Sequence, residues 1–251
     1  STDSPSYITK NVTFTNTDGE KTYAASFTGG TGNRYVLFYL FKAEGGVKFS
    51  GIKFIGNVFT ASDSADGKFM FDNISTSEDG FIGAYIIDGN YSRYEPFAIE
   101  VTNTKNAEVD ILNAREECFP SLTLNNSSVT SAMEGSLGNV SLENNSKIKT
   151  YQPIQTLTAD DADNAIEFIF DEESDGIVPI NIEGDVTVAE NSTVKLEVET
   201  PLTLGQILLT SSNENASLTA EKFSVSQPEF ALAKRDNDII TKPAEYTVNY
   251  E

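Results

Sequence analysis

The sequence predicts an all-β protein, a single-stranded parallel β-helix (a β-solenoid) with a C-terminal β cap, and three observations carry that reading. First, Leu122-Thr-Leu-Asn-Asn-Ser-Ser-Val129, Val140-Ser-Leu-Glu-Asn-Asn-Ser-Lys-Ile148 and Val186-Thr-Val-Ala-Glu-Asn-Ser-Thr-Val194 repeat one pattern. Apolar and hydroxyl residues alternate, a polar corner ends in Asn-Ser, and a β-branched residue follows, which reads as strand, turn, strand. Second, Asn126, Asn145 and Asn191 lie 19 and 46 residues apart, the second gap being close to twice a 23-residue period. Units of that length stack as coils. Third, residues 113–118 and 158–165 are the only places where a helical turn is expected. A βαβ fold would need helices of a dozen residues between its strands.

Taken in order, residues 1–10 read as a polar arm, frayed or paired to something outside the chain. Strand-like runs follow at 12–15, 35–41, 47–49, 52–55, 68–71, 84–87, 98–101 and 109–112. They continue at 122–124, 140–142, 166–170, 178–182, 186–188, 194–198 and 202–209. Many carry β-branched or aromatic residues at alternate positions, as half-buried strands do. Asn recurs just beyond the last strand residue, at Asn57, Asn73, Asn103, Asn113 and Asn125. Asn tolerates the left-handed backbone that a coil corner needs, so Asn57, Asn126, Asn145 and Asn191 are the expected structural corners. Residues 11–200 are thus assigned to solenoid coils. At roughly 20 residues per coil, 251 residues would make about a dozen coils, which stacked at ~4.8 Å give a rod on the order of 50 to 60 Å long. The pattern is common to both hands, and the right-handed form is the one expected. Residues 201–251 depart from the rhythm and read as a cap or docking element, with a hairpin turning at Arg235-Asp-Asn-Asp238 and a last strand at 246–250. A solenoid must cover its open end. The alternative architecture is two β-sandwich domains divided near residue 150, where Tyr151-Gln152-Pro153 interrupts the pattern.

Composition narrows function. Seventeen Lys and Arg against 38 Asp and Glu leave a net charge of −21, a field that repels phosphate backbones and anionic lipid surfaces. Nucleic acid is therefore not an expected partner. No run approaches the 18 or so apolar residues of a membrane span. The first residues, Ser1-Thr-Asp-Ser-Pro-Ser, read as a mature or trimmed terminus. A single cysteine, Cys118, permits no disulfide within the chain and reads as a small buried hydrophobe. The chain has no histidine, which removes Ser-His-Asp and Cys-His catalysis and most zinc sites.

Gly45-Gly46-Val47 followed by Phe54-Ile-Gly-Asn57 resembles the Gly-Gly-apolar and Phe-x-x-Asn signatures of polymorphic outer-membrane adhesins. The Asn-Ser coils and Leu202-Thr-Leu-Gly-Gln-Ile-Leu-Leu209 resemble autotransporter passenger domains. Over residues 10–210 the chain is therefore similar to the secreted parallel β-helix proteins of bacteria. That resemblance implies a non-enzymatic adhesin or surface scaffold, extracellular or on the cell surface, and supplies no catalytic residue.

Candidate sites follow from side-chain chemistry. Asp160, Asp161 and Asp163, then Asp171, Glu172, Glu173 and Asp175, form two acidic clusters. Calcium needs six to eight hard oxygen ligands, so Asp160, Asp161, Asp163, Asp171, Glu173 and Asp175 are the candidate calcium ligands; otherwise they form a solvated acidic face. No cofactor is required, and Ca2+ is the ion considered for these carboxylates. The same carboxylates support an enzyme alternative, a β-helix polysaccharide lyase or glycosidase, but Arg34, Arg93, Arg115 and Arg235 are scattered rather than clustered. Nine Asn-x-Ser/Thr sequons, including Asn73, Asn125, Asn126, Asn139, Asn144 and Asn191, exceed the ~4 that composition would give. They fit glycosylation or, preferably, coil corners that favour Asn followed by a hydroxyl. Tyr35, Phe38, Tyr39 and Phe41 with Tyr91 and Tyr94 form either an aromatic binding patch or core stacking. The expected partners are copies of the chain itself, joined through terminal strands into fibres or a layer, other surface proteins, and glycans.

Overall fold

A computed structural model of the chain describes residues 7–8, 12–15, 36–40, 46–54, 58–62, 66–78, 80–86, 97–113, 119–132, 135–171, 176–213 and 216–245. Asn57, Glu173, Asp175, Cys118 and the expected strand at 246–250 lie outside them, as do Tyr35, Phe41, Tyr91 and Tyr94. The fold is all-β and built on two long parallel sheets. The first has eight strands: Val12–Thr15, Gly46–Ser50, Lys68–Asp72, Ala98–Thr102, Ser121–Asn125, Leu137–Glu143, Ile154–Ala159 and Val186–Val188. The second has ten: Tyr7–Ile8, Val36–Leu40, Val58–Ser62, Ile82–Ile86, Lys105–Asn113, Ser128–Ser131, Lys147–Thr150, Ala165–Phe168, Val194–Glu197 and Phe223–Val225. From Gly46 to Glu197 the chain visits the sheets alternately, and each return lays a new strand beside the previous one. Ten strands at ~4.8 Å make the second sheet on the order of 43 Å wide.

Period-two alternation explains the register. Val47, Phe69, Ile99, Leu122, Val140, Leu157 and Val186 are successive Cα partners in the first sheet, and every one is buried. A one-residue slip would turn this whole column to solvent, so the interior fixes the pairing. Ala107, Val129, Ile148, Ile166 and Leu196 form the matching buried column of the second sheet. The steps along the first column are uneven in length. Phe69 to Ile99 and Leu157 to Val186 are the long ones, and Leu122 to Val140 and Val140 to Leu157 the short ones. The repeat is regular in register and irregular in length, because the return segments between sheets vary while the paired strands do not.

The structure corrects several expectations. Residues 158–165 make no helical turn; Ile154–Ala159 is a strand and residues 160–164 form a corner. Tyr7–Ile8, inside the expected free arm, pairs with Tyr39–Leu40. Parallel pairing crosses Tyr151-Gln152-Pro153, the alternative sandwich boundary, in both sheets. Buried Gln152 ties that segment to a strand two places back in the second sheet, through Nε2 to Ile111 O at 3.0 Å. Parallel pairing also involves strands beyond residue 200. Ile207–Thr210 pairs in parallel with Ile180–Asn181, and Phe223–Val225 with Val194–Leu196. The expected strand at 202–209 begins only at Ile207, after a turn in which Gly205 has φ +77. Phe230–Arg235 and Asp238–Pro243 form an antiparallel hairpin, whose second strand pairs antiparallel with Ile207–Thr210. The run of parallel pairing gives way there to antiparallel pairing.

Candidate functional site

The corner between the sheets is the most repeated local structure. Asn73, Asn103, Asn126, Asn144, Asn145 and Asn191 all have positive φ, from 49 to 64°, the conformation Asn adopts at least cost among residues with a side chain. The first three stand between a first-sheet and a second-sheet strand in consecutive coils. Asp72, Asn103 and Asn126 form an outer side-chain ladder: Asn103 Nδ2 donates to Asp72 Oδ1 (3.1 Å) and Asn126 Nδ2 to Asn103 Oδ1 (2.9 Å). In the next coil Asn144 Nδ2 donates to Asn125 Oδ1 (3.1 Å). Burial pushes the Asp72 carboxyl up, but hydrogen bonds from Asn103 and Lys48 outweigh it and hold Asp72 below its usual value.

The residue after the corner Asn turns inward and builds a second ladder, a buried one. The Ile74 N–H donates to Thr104 Oγ1 (3.2 Å), the Thr104 N–H to Ser127 Oγ (3.1 Å), the Ser127 N–H to Ser146 Oγ (3.1 Å), and the Ser146 N–H to Asn164 Oδ1 (2.9 Å). All four acceptor residues are buried. The Thr104, Ser127 and Ser146 hydroxyls in turn donate to the carbonyls of Thr102, Asn125 and Glu143. Backbone amides that leave the sheet at a corner are thereby satisfied from the next coil, where water does not reach. Ser127→Ala strands the buried Thr104 N–H and is expected to cost about 1–3 kcal/mol in urea unfolding. The neighbouring, half-exposed Ser128→Ala should change stability by less than about 0.5 kcal/mol. Equal effects of the two substitutions would remove the ladder's role.

The acidic residues fall into different places. Asp160 is a corner residue: Oδ2 accepts the Asn144 N–H (2.8 Å), and Oδ1 accepts the Ala162 N–H (3.1 Å) and Asn164 Nδ2 (2.6 Å). Burial raises its pKa, but these three donors, the Asn144 N–H first, pull it below the usual carboxylate range. Asp161 and Asp163 are exposed at the rim of the corner, where the Asp163 N–H donates to Asn145 Oδ1 (3.2 Å). Asp171 stands apart from this corner, in a hairpin described below. Among the described residues no group of three or more Asp, Glu, His or Cys is placed to hold a metal ion.

Two further charged groupings stand on the outer face of the second sheet, and neither stands out in the sequence. In one, Glu167 lies between Lys147 and Lys149, at 2.5 and 2.6 Å, and Lys147 also reaches Glu197 at 3.3 Å. Burial pushes Glu167 up, yet the two ammonium groups hold it below its usual value, and Glu167 in turn raises Lys147. In the other, Glu108 and Asp110 share one face of a strand, and Asp110 is fully buried, with Oδ1 accepting the Ala132 N–H at 2.7 Å. Burial, then the charge and hydrogen bond of Asp110, raise the Glu108 carboxyl. A glycosidase pair flanks an open cleft, whereas Asp110 of this pair is fully buried. Raised folded-state pKa means that Glu108 contributes stability fully below its ordinary value of 4.5 and loses it as pH rises through the shifted value. Glu108→Gln is therefore expected to be neutral at pH 4 and stabilising at pH 7, by less than about 1 kcal/mol. Thermal melts at both pH values check this, and a lower melting temperature at pH 7 would contradict it.

One segment leaves the coil altogether. After Ala165–Phe168, whose four side chains are all buried, the chain forms a short antiparallel pair, Phe170↔Ile177 and Asp171↔Gly176. It returns through Pro179 to the strand Ile180–Asn181. The excursion explains why the step from Leu157 to Val186 is much longer than the two before it, Leu122 to Val140 and Val140 to Leu157. It also exposes apolar surface. Phe170 is 39% and Val178 37% exposed, two of the three large apolar side chains so exposed among the described residues. They line a cavity of about 280 Å3 together with Tyr151, Ile169 and Asp171. Tyr151 is anchored from the coil by its hydroxyl, which donates to Ala132 O. The expected strands at 166–170 and 178–182 miss this, since the apolar run continues past the point where the chain leaves the sheet.

No protein-family model, curated protein or solved structure matches this chain.

Proposed function

We propose that the two parallel sheets close into one β-helix that works as a non-enzymatic secreted surface protein, an adhesive scaffold whose coils present an outward excursion to a partner. The observation that carries this is the pair of corner ladders, one buried and one outer, which tie consecutive coils at Asn73, Asn103, Asn126 and Asn145. A chain so cross-tied supports long polar faces and tolerates an insertion in one coil without loss of register, which is how repeat scaffolds carry binding sites. The net charge of −21 keeps such a rod dispersed until a terminal strand or a partner engages it. Self-association of terminal strands into fibres, and calcium bridging through Asp161 and Asp163, belong to the same proposal.

Negative-stain electron microscopy over a concentration series, with calcium and with chelator, tests it together with turnover assays on a polysaccharide panel. Short rods or ordered filaments without turnover support the scaffold. Compact globules, or polysaccharide cleavage abolished by Asp171→Ala or Asp161→Ala, would replace it with the sandwich or the enzyme alternative.

A further inference from the structure

We propose that Asn139 carries an N-linked oligosaccharide, while Asn125, Asn126 and Asn144 stay bare. This rests on the secreted location in the scaffold reading, because sequons are modified on exported chains. Six of the nine sequons lie among the described residues, and the fold accounts for the asparagine in five of them. Asn73, Asn126, Asn144 and Asn191 have positive φ, so the corner backbone itself selects Asn. Asn125 ends a strand, donates Nδ2 to Glu143 Oε2 (3.0 Å) and accepts Asn144 Nδ2 (3.1 Å). Asn139 has neither role. It lies inside the strand Leu137–Glu143, without positive φ, where Asn is a disfavoured residue.

Its surroundings suit an acceptor. Asn139 is exposed, between buried Gly138 and Val140, and Ser141 returns to the same outer face two residues on. Asn139 Oδ1 accepts Thr156 Oγ1 at 2.7 Å, which orients the carboxamide. Nδ2, the atom that takes the sugar, has no hydrogen bond among the described residues. The neighbouring column of that face, Thr123, Ser141 and Thr158, is half-buried to exposed and uncharged. It offers a neutral sugar both donors and acceptors. The contrast lies at the corners, where Asn126 Nδ2 is held by Asn103 Oδ1 (2.9 Å) and Asn144 Nδ2 by Asn125 Oδ1. A sugar ring there would crowd a bond between neighbouring corners.

In the transfer, Asn139 Nδ2 attacks the anomeric carbon of an oligosaccharide linked to a lipid pyrophosphate. The N–C bond forms and the C–O bond to phosphate breaks. The lipid pyrophosphate leaves with that electron pair, and the nitrogen gives one proton to a base of the transferase.

The test is glycopeptide mass spectrometry, with electron-transfer fragmentation, on the full chain recovered from the medium and surface of its producing cells. Asn139 should carry the sugar, and Asn125, Asn126 and Asn144 should not. Ser141→Ala keeps Asn139 but removes the sequon, and it should abolish the modification; Ser141→Thr keeps the sequon and should retain it. Exported chain with bare Asn139, sugar on any of the other three residues, or modification that survives Ser141→Ala would overturn the proposal. Chain held inside the cells with Asn139 bare would overturn it as well, through failure of the secreted reading rather than of the site.

Discussion

Phe71→Ala is expected to lower stability by about 3–5 kcal/mol, as large a loss as any single truncation of this core should give. Phe71 is fully buried in the first sheet, stacked on Phe49 at 5.3 Å with an interplanar angle of 8°, and met edge-on by Phe54 at 6.0 Å and 76°. Phe49 and Phe71 are register partners, so the stack follows from identical side chains placed one coil apart. Removing one ring leaves a cavity that the flanking coils cannot close without breaking the pairing of Phe71 with Val101 on the other side. Phe71→Leu keeps most of the volume and should cost less than about 1.5 kcal/mol. Urea unfolding of the three proteins decides it, and a Phe71→Ala loss under about 1 kcal/mol would mean that this column is not the core.

Gly138→Ala is expected to cost about 3 kcal/mol or more, for the opposite reason. A Cβ at Gly138 would stand 2.5 Å from Pro120 O and closer still to Phe119 O. Both are backbone atoms, and the Gly138 N–H already donates to Pro120 O at 2.9 Å, so relief requires the coils themselves to part. Gly205→Ala provides the contrast. Its Cβ would meet nothing within 4 Å, and the cost, about 1–2 kcal/mol, comes from φ +77 alone. If the two substitutions proved equally mild, the close approach of coils at residues 119–120 and 138 would be refuted.

Much of this architecture was legible in the sequence because stacked parallel strands repeat chemically as well as geometrically. Alternation at 122–124, 140–142 and 186–188 marks strands that the structure places in one sheet, in register. Asn-Ser at Asn126 and Asn145 marks corners because few other residues accept that backbone. The period was less legible: strands hold register while return segments range freely, so uneven steps such as Phe69 to Ile99 and Val140 to Leu157 blur any single repeat length. The corner at residues 160–164 reads in sequence as a helical turn and an acid cluster. There Asp160 and Asn164 take over the roles that Asn and Ser play elsewhere, and the exchange hides the equivalence of position. The inward partner of each corner hydroxyl lies one coil away along the chain, a separation that composition cannot show. Glu108 and Asp110 alternate with buried Val109 and Ile111 and so read as an outer face; the raised Glu108 carboxyl depends on burial and on the nearby charge of Asp110.

The central claim is that successive coils stack in one continuous parallel column. Lys48, Met70, Glu100, Thr123, Ser141, Thr158 and Thr187 are successive partners on the outer face of the first sheet, six ladder steps from end to end. At ~4.8 Å a step, Lys48 and Thr187 stand on the order of 29 Å apart. Spin labels at these two positions, in a background with Cys118→Ser, measure that separation by double electron–electron resonance. A single narrow distribution centred near that distance, allowing for the label arms, is the predicted result. A broad distribution, or one centred far from it as two independent sandwich domains would give, would contradict the continuous column.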